Sequence, residues 1–167
     1  MRIRDLVPQD AEKLVAFRQK LFGETDFLLY GPGEYSTTVE EVASQVDRMS
    51  QVPTSRSLIA EHDDKFVGFL GIIGSPVPRL RHSAHLALGV LREWWSHGVA
   101  TDLMNEAFRW APTVGVSRLE LSVMTTNTRA IALYEHLGFK FEGLRRRAYI
   151  INGVAVDDHH MAYVFET

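Results

Sequence analysis

The sequence predicts an α/β chain: a mixed, mostly antiparallel central sheet of about seven strands with helices on both faces. Three observations carry this reading. Short runs of strand character recur along the chain, and three consecutive pairs of them are separated by helical segments long enough to cross over a sheet. Asn152-Gly153 joins the last two runs, and Asn-Gly is the strongest short-range hairpin signal. No repeat, low-complexity tract or linker interrupts the 167 residues, a length that fits one domain over 1–167.

Residues 2–7 read as a strand, with Ile3 and Val7 among polar neighbours. Pro8 then opens a helix, where its missing N–H costs little. Ala11, Leu14, Val15, Arg18, Leu21 and Phe22 recur at helical spacing, and Gly23 is expected to stop that helix. Residues 24–35 read as an ordered loop. Thr37 or Thr38 caps a second helix with Val39, Val42, Ala43, Val46 and Met49 on its apolar face. Strands follow over 57–61, 66–74 and 83–91, the middle one almost continuously apolar. A helix from Gly98 to Ala111 carries Val99, Leu103, Ala107 and Ala100, Met104, Phe108 as ridges. A strand over 117–124, a helix over 127–137 closed by Gly138, and the hairpin strands 140–151 and 154–165 complete the order. The sheet is expected to be antiparallel at hairpins and parallel where a helix crosses over.

Composition narrows the function classes. The chain has no cysteine, 46% hydrophobic residues, 23% charged residues and a net charge of −3. Disulfides, thiolate zinc sites, the usual iron–sulfur clusters and a cysteine nucleophile are thereby excluded. A pI near 6.2 argues against nucleic acid as a partner, which calls for a basic excess. Met1-Arg2-Ile3-Arg4-Asp5 meets an acid before any apolar leader forms. The longest apolar run, 66–74, is far short of the roughly 20 residues that span a bilayer. A cytoplasmic protein without a membrane partner is expected.

Residues 86–103 hold the first candidate site. A strand ends, a short loop follows and a helix starts at Gly98. Small Gly98 and Ala100 leave backbone N–H groups from Ser96 to Ala100 free to meet an anion, helped by the helix dipole. A packing turn that needs small residues would read the same way. The segment is neither a Walker loop nor a dinucleotide fingerprint. In the second candidate segment Asn127 can cap a helix that places Tyr134 two turns on, along the same face. An ordinary core tyrosine is the competing reading. No metal site is expected, because His159 and His160 are adjacent on a strand and face opposite sides. On a strand the side chains of Arg145-Arg146-Arg147 alternate, and the run reads as a solvated face, or as a contact for a negatively charged substrate or a cofactor's phosphates.

Taken together, these segments resemble the GNAT superfamily of N-acetyltransferases. Trp95-Ser96-His97-Gly98-Val99-Ala100 matches its acetyl-CoA loop, Gln/Arg-x-x-Gly-x-Gly/Ala, except at Trp95. Asn127, Ala130, Tyr134 and Gly138-Phe139 match its second signature, Asn-x-x-Ala-x-x-x-Tyr-x-x-x-Gly-Phe. Trp95, Glu142-Gly143 and the terminal hairpin look most like the branch that acetylates ribosomal-protein N-termini. The resemblance is strong over residues 83–163 and rests on element order before that.

The resemblance implies the acyl-CoA N-acyltransferase fold and direct acetyl transfer from acetyl-CoA to a primary amine, with no metal. The acceptor would be a protein N-terminus, an amino acid, a polyamine or another small amine. It further implies that the strands before and after the loop splay apart, with a bulge at Gly89. Leu88 and Val90 would then bind the pantetheine arm through their backbones. Ser96, His97, Gly98, Val99 and Ala100 would hold the pyrophosphate, with Asn127 and Arg129 contributing from the second signature. Tyr134 becomes the candidate general acid. The family's base positions hold Ala84 and Ser122 here, which leaves Glu120 and His85 as base candidates. The loop over 24–35 sits at the family's acceptor wall, where Glu24, Tyr30, Glu34 and Tyr35 could attract an amine. The terminal strands could also pair in a homodimer. The rival readings are a non-catalytic acetyl-CoA sensor or interaction module and a nucleic-acid binder using Arg145 to Arg147.

Overall fold

The computed structural model describes residues 1–166. Strands β1 (Arg2–Asp5), β2 (Arg56–His62), β3 (Lys65–Gly74), β4 (Ser83–Val90), β5 (Arg118–Met124), β6 (Lys140–Ile151) and β7 (Val154–Val164) form one sheet. Helices α1 (Ala11–Glu24), α2 (Val39–Ser50), α3 (Val99–Trp110) and α4 (Thr128–His136) cover it. The strand order is β1-β2-β3-β4-β5-β7-β6. Only β4 and β5 run parallel among neighbours, as expected for a pair joined by a crossing helix. The β5–α4–β6 connection skips one strand position, and β7 fills it through antiparallel pairing on both sides.

Each sheet face has its own core. Leu14, Phe17 and Leu21 of α1 and Val42 and Val46 of α2 pack with Ile59 and Phe66 on one face. Leu103, Met104 and Ala107 of α3 pack with Leu58, Leu70, Leu119 and Phe139 on the other. Leu58 and Ile59 are adjacent and fully buried on opposite faces, as the period of two requires. Burying a residue such as Leu103 contributes about 1.5–3 kcal/mol. Thr38 caps α2 in a reciprocal box with Glu41, accepting from Glu41 N at 3.2 Å.

Three local expectations are corrected. Gly23 lies inside α1, which runs on to Glu24 and stops at extended Thr25. Gly89 marks no bulge with β3, because the register there is unbroken from Gly68↔Val90 to Gly74↔Ala84. Gly89 is small because α1 approaches closely: a Cβ there would lie 2.5 Å from Leu21 Cδ2. Arg145 to Arg147 do not simply alternate along a strand. The β6–β7 register shifts between Arg145 and Tyr149, and Arg147 has φ +53 with its N–H donating to Asp157 Oδ1 at 2.7 Å.

Candidate functional site

The parallel pair β4/β5 is bonded only over Ser83–His85 and Arg118–Glu120. Beyond it the strands separate, and a cleft of about 940 Å³ opens through the sheet. Its lining includes His85 to Val90 on one side and Ser122 and Val123 on the other. Leu91 N–H donates to Val67 O at 3.0 Å. By antiparallel alternation, the polar backbone groups of Leu88 and Val90 therefore turn away from β3, toward the gap. Trp95 Nε1 donates to Val90 O at 2.9 Å, so the carbonyl is satisfied and the Val90 N–H still faces the cleft. That bond gives Trp95 a positioning role that the motif mismatch did not reveal.

At the end of the gap, α3 begins. Gly98 is its N-cap in the left-handed region, φ +79, and no side chain caps the helix. Ser96 is also left-handed, with φ +62. The first-turn N–H groups of Val99, Ala100 and Thr101 have no intrahelical partner. Together with the helix dipole they form an anion cradle at the mouth of the cleft. Ser96, Gly98, Val99 and Ala100 line the cleft. His97 does not: its Nδ1 bonds Trp95 O at 2.8 Å and its ring packs on Trp94 at 5.8 Å. Any part His97 plays in the cradle falls to its backbone.

Across the gap, Asn127 caps α4, accepting from Ala130 N at 3.2 Å. Arg129 Nη2 donates to Ser96 Oγ at 2.8 Å, and its guanidinium lies 4.9 Å from the Trp95 ring centroid. These contacts hold a cation beside the cradle. Tyr134 lines the cleft and packs at a tilt against Phe139, with ring centroids 5.7 Å apart. Burial pushes its phenol up to about 12. The phenol therefore keeps its proton at neutral pH.

His85 and Glu120 are register partners on β4 and β5 but have different surroundings. Glu120 accepts from Arg118 Nε at 2.9 Å, has His160 at 3.6 Å, and is not among the residues lining the cleft. The Arg118 ion pair occupies it. His85 lines the cleft, and desolvation above all, with smaller contributions from His160 and Arg145, holds its imidazole below the usual histidine value against the opposing pull of Glu120. Neutral His85 is thus available as a proton acceptor.

The acceptor wall also differs from expectation. Tyr30 and Tyr35 line the cleft, forming an aromatic cluster with Phe22 at centroid separations of 5.1–5.4 Å. Glu24 and Glu34 do not line it. Glu24 accepts from Arg92 N at 2.7 Å and Glu34 from Gly31 N at 2.7 Å, so both carboxylates tie down backbone instead. Arg18 was not foreseen as a site residue. It lines the cleft, donates from Nη1 to Tyr35 OH at 2.9 Å, and sits 5.4 Å from the Phe69 centroid. Its signal in the sequence was a charged residue on the apolar stripe of α1. Tyr149, on β6, lines the cleft as well and was equally unforeseen.

Residues 24–139 match the model of the acetyltransferase (GNAT) family. The L-amino acid N-acetyltransferase AaaT of Escherichia coli is 34% identical over 119 residues, covering 71% of this chain and 74% of that protein. A GNAT-family acetyltransferase from Streptococcus pneumoniae superposes with a TM-score of 0.93 at 30% identity, covering 99% of both chains. A phosphinothricin acetyltransferase from Sinorhizobium meliloti, solved with acetyl-CoA, shares the fold, with a TM-score of 0.86 at 16% identity over 98% of this chain and 88% of that one. With the two signatures seated on the loop into α3 and on α4, the chain belongs to the acetyltransferase (GNAT) family and is an N-acetyltransferase.

Proposed function

We propose that the enzyme acetylates a primary amine directly, with Tyr134 as general acid and His85 as general base. The observation that carries this reading is that one cleft brings together the strand gap, the α3 cradle, the Tyr134 phenol and the His85 imidazole. The backbone amides of Ser96 to Ala100 hold the pyrophosphate, Arg129 adds positive charge there, the Leu88 backbone bonds the pantetheine arm, and Val90 meets the thioester end of that arm through its N–H. Acetyl-CoA supplies a thioester whose carbonyl carbon accepts the amine nitrogen and whose sulfur leaves as a thiolate.

His85 takes the proton that the amine loses as the C–N bond forms, directly or through water. The Val90 N–H donates to the carbonyl oxygen as negative charge develops on it. Tyr134 gives its proton to the sulfur as the C–S bond breaks. A free thiol titrates near 8.5 and a free phenol near 10, and the desolvation that raises Tyr134 raises the neighbouring thiol in the same sense. No acyl-enzyme is needed, consistent with a chain that has no cysteine. The reading also includes a cytoplasmic location, no metal, no nucleic-acid or membrane partner, and allows a homodimer.

The base assignment predicts a pH profile. Protonation of His85 removes the base, and its depressed pKa puts that loss below about 6.5. For an amine that is largely deprotonated at assay pH, kcat should fall only as pH drops below that value. His85→Gln should lower kcat by about 10²-fold and abolish that acid limb. A limb that survives in His85→Gln excludes His85 as the base.

A further inference from the structure

The charge of the cleft is one-sided. Among the described residues no aspartate or glutamate lines it, while Arg18, His85 and Arg129 do. Arg129 belongs to the cradle end through Ser96 and Trp95. Arg18 stands on the α1 side, with His85 on the same sheet face, since β4 turns Ala84 and Leu86 into the α3 core and His85 to the other side. The Arg18 guanidinium is fixed between two aromatic rings, 5.4 Å from the Phe69 centroid and 5.8 Å from that of Tyr35. Its one hydrogen bond among the described residues goes to a hydroxyl, Tyr35 OH, at 2.9 Å. None of the described carboxylates lies within ion-pair distance of it, although each of the other half-buried arginines, Arg4, Arg56 and Arg118, has one.

A guanidinium has five N–H donors in a fork that matches a carboxylate. Holding one part-buried, aromatic-sandwiched and without a counter-ion is costly unless a ligand supplies the anion. A polyamine would face the opposite problem, with its second cation meeting no acid in the cleft. Resting on the acetyl-transfer reading above, we infer that the acceptor is an amino carboxylate: its carboxylate pairs with Arg18, its amine faces His85, and an apolar side chain packs on Phe22, Tyr30 and Tyr35. The missing acids and the unpaired cation select the same class of acceptor. Arg18 is then the specificity-determining residue of the acceptor site.

The test uses L-alanine, L-leucine and L-phenylalanine, the amide of each, isoamylamine and spermidine, with thiol release from acetyl-CoA as the readout. At least one free acid should exceed its amide by tenfold or more in kcat/KM, as expected for a charge-assisted pair. The amide is the stricter control, because its amine titrates near the 7.7–8.0 of a peptide N-terminus, so roughly 10–17% of it is already deprotonated at pH 7. Arg18→Gln should bring the acid-to-amide ratio close to one, mostly through KM for the acid, and Arg18→Lys should restore part of it. Calorimetric binding of the same amino acids to the CoA-loaded enzyme gives a second measurement that does not depend on turnover. Acids that bind while no amine releases thiol would leave the Arg18 site standing and remove the acetyl-transfer reading. Amides, isoamylamine or spermidine turned over as well as the acids would overturn the Arg18 proposal and leave acetyl transfer intact. Acids that neither react nor bind, or a ratio unmoved by Arg18→Gln, would overturn it too.

Discussion

Tyr134→Phe is expected to lower kcat by about 10²-fold or more while acetyl-CoA binding stays within about twofold. Tyr134 lines the cleft, its phenol oxygen has no hydrogen-bonding partner among the described residues, and the phenol, protonated at neutral pH like any tyrosine, is held further toward that form by burial, which lifts it to about 12. The rest of the side chain belongs to the core, in the cluster that includes Phe139, Leu103 and Leu119. Phenylalanine keeps that ring and removes only the proton donor. The variant should therefore fold normally, bind acetyl-CoA in calorimetry and stall at departure of the thiolate. Using an activated thioester with a far more acidic leaving thiol should recover most of the loss, since such a thiolate leaves without a proton. Unchanged turnover with acetyl-CoA would remove Tyr134 from the chemistry.

Gly74→Ala should be the most damaging single methyl in the sheet. Gly74 ends β3, pairs with Ala84 and donates its N–H to Ser55 Oγ at 2.9 Å. An added Cβ would lie 2.2 Å from Thr54 Oγ1 and 2.3 Å from Thr54 O. Thr54 is itself buried, its hydroxyl already without a hydrogen-bond partner, and its backbone belongs to the tight turn where Ser55 N donates to Val52 O at 2.8 Å. Backbone rather than a side-chain tip must yield, so a loss of about 3 kcal/mol or more is expected, or roughly 6–12 °C in Tm for a chain of this size. Gly23→Ala provides the contrast. That exposed helical position has open space around it, and the methyl should stabilise by about 0.5–1 kcal/mol. Thermal unfolding of the two variants beside the wild type checks both signs. Equal and small effects would show that the Gly74–Thr54 approach is not as close as described.

The parts of this molecule that were legible in sequence are local. Thr38 with Glu41, Asn127 with Ala130, and Gly98 before α3 each act within a few residues, so spacing alone places them. The Asn152-Gly153 turn is local in the same way, with both residues at positive φ. What escaped depends on residues far apart in the chain. Glu24 looked like an acceptor-site acid until the fold brought it to Arg92, 68 positions away. Glu120 gains Arg118 along its own strand but also His160 across from β7, whose insertion beside β5 no periodicity announces. Arg18 was counted on an apolar helical face, and only the packing of Phe69 and Tyr35 around it shows why a charge belongs there.

The central claim is that the gap between β4 and β5, the cradle at Gly98 and the Tyr134 phenol form one acetyl-transfer site. Thiol release from acetyl-CoA, measured with and without a primary amine, tests it most directly. The account predicts amine-dependent release, matched one for one by N-acetylated product in the mass spectrum and falling by about 10²-fold in Tyr134→Phe. No amine-dependent thiol across a broad panel, from folded protein saturated with acetyl-CoA, would contradict it.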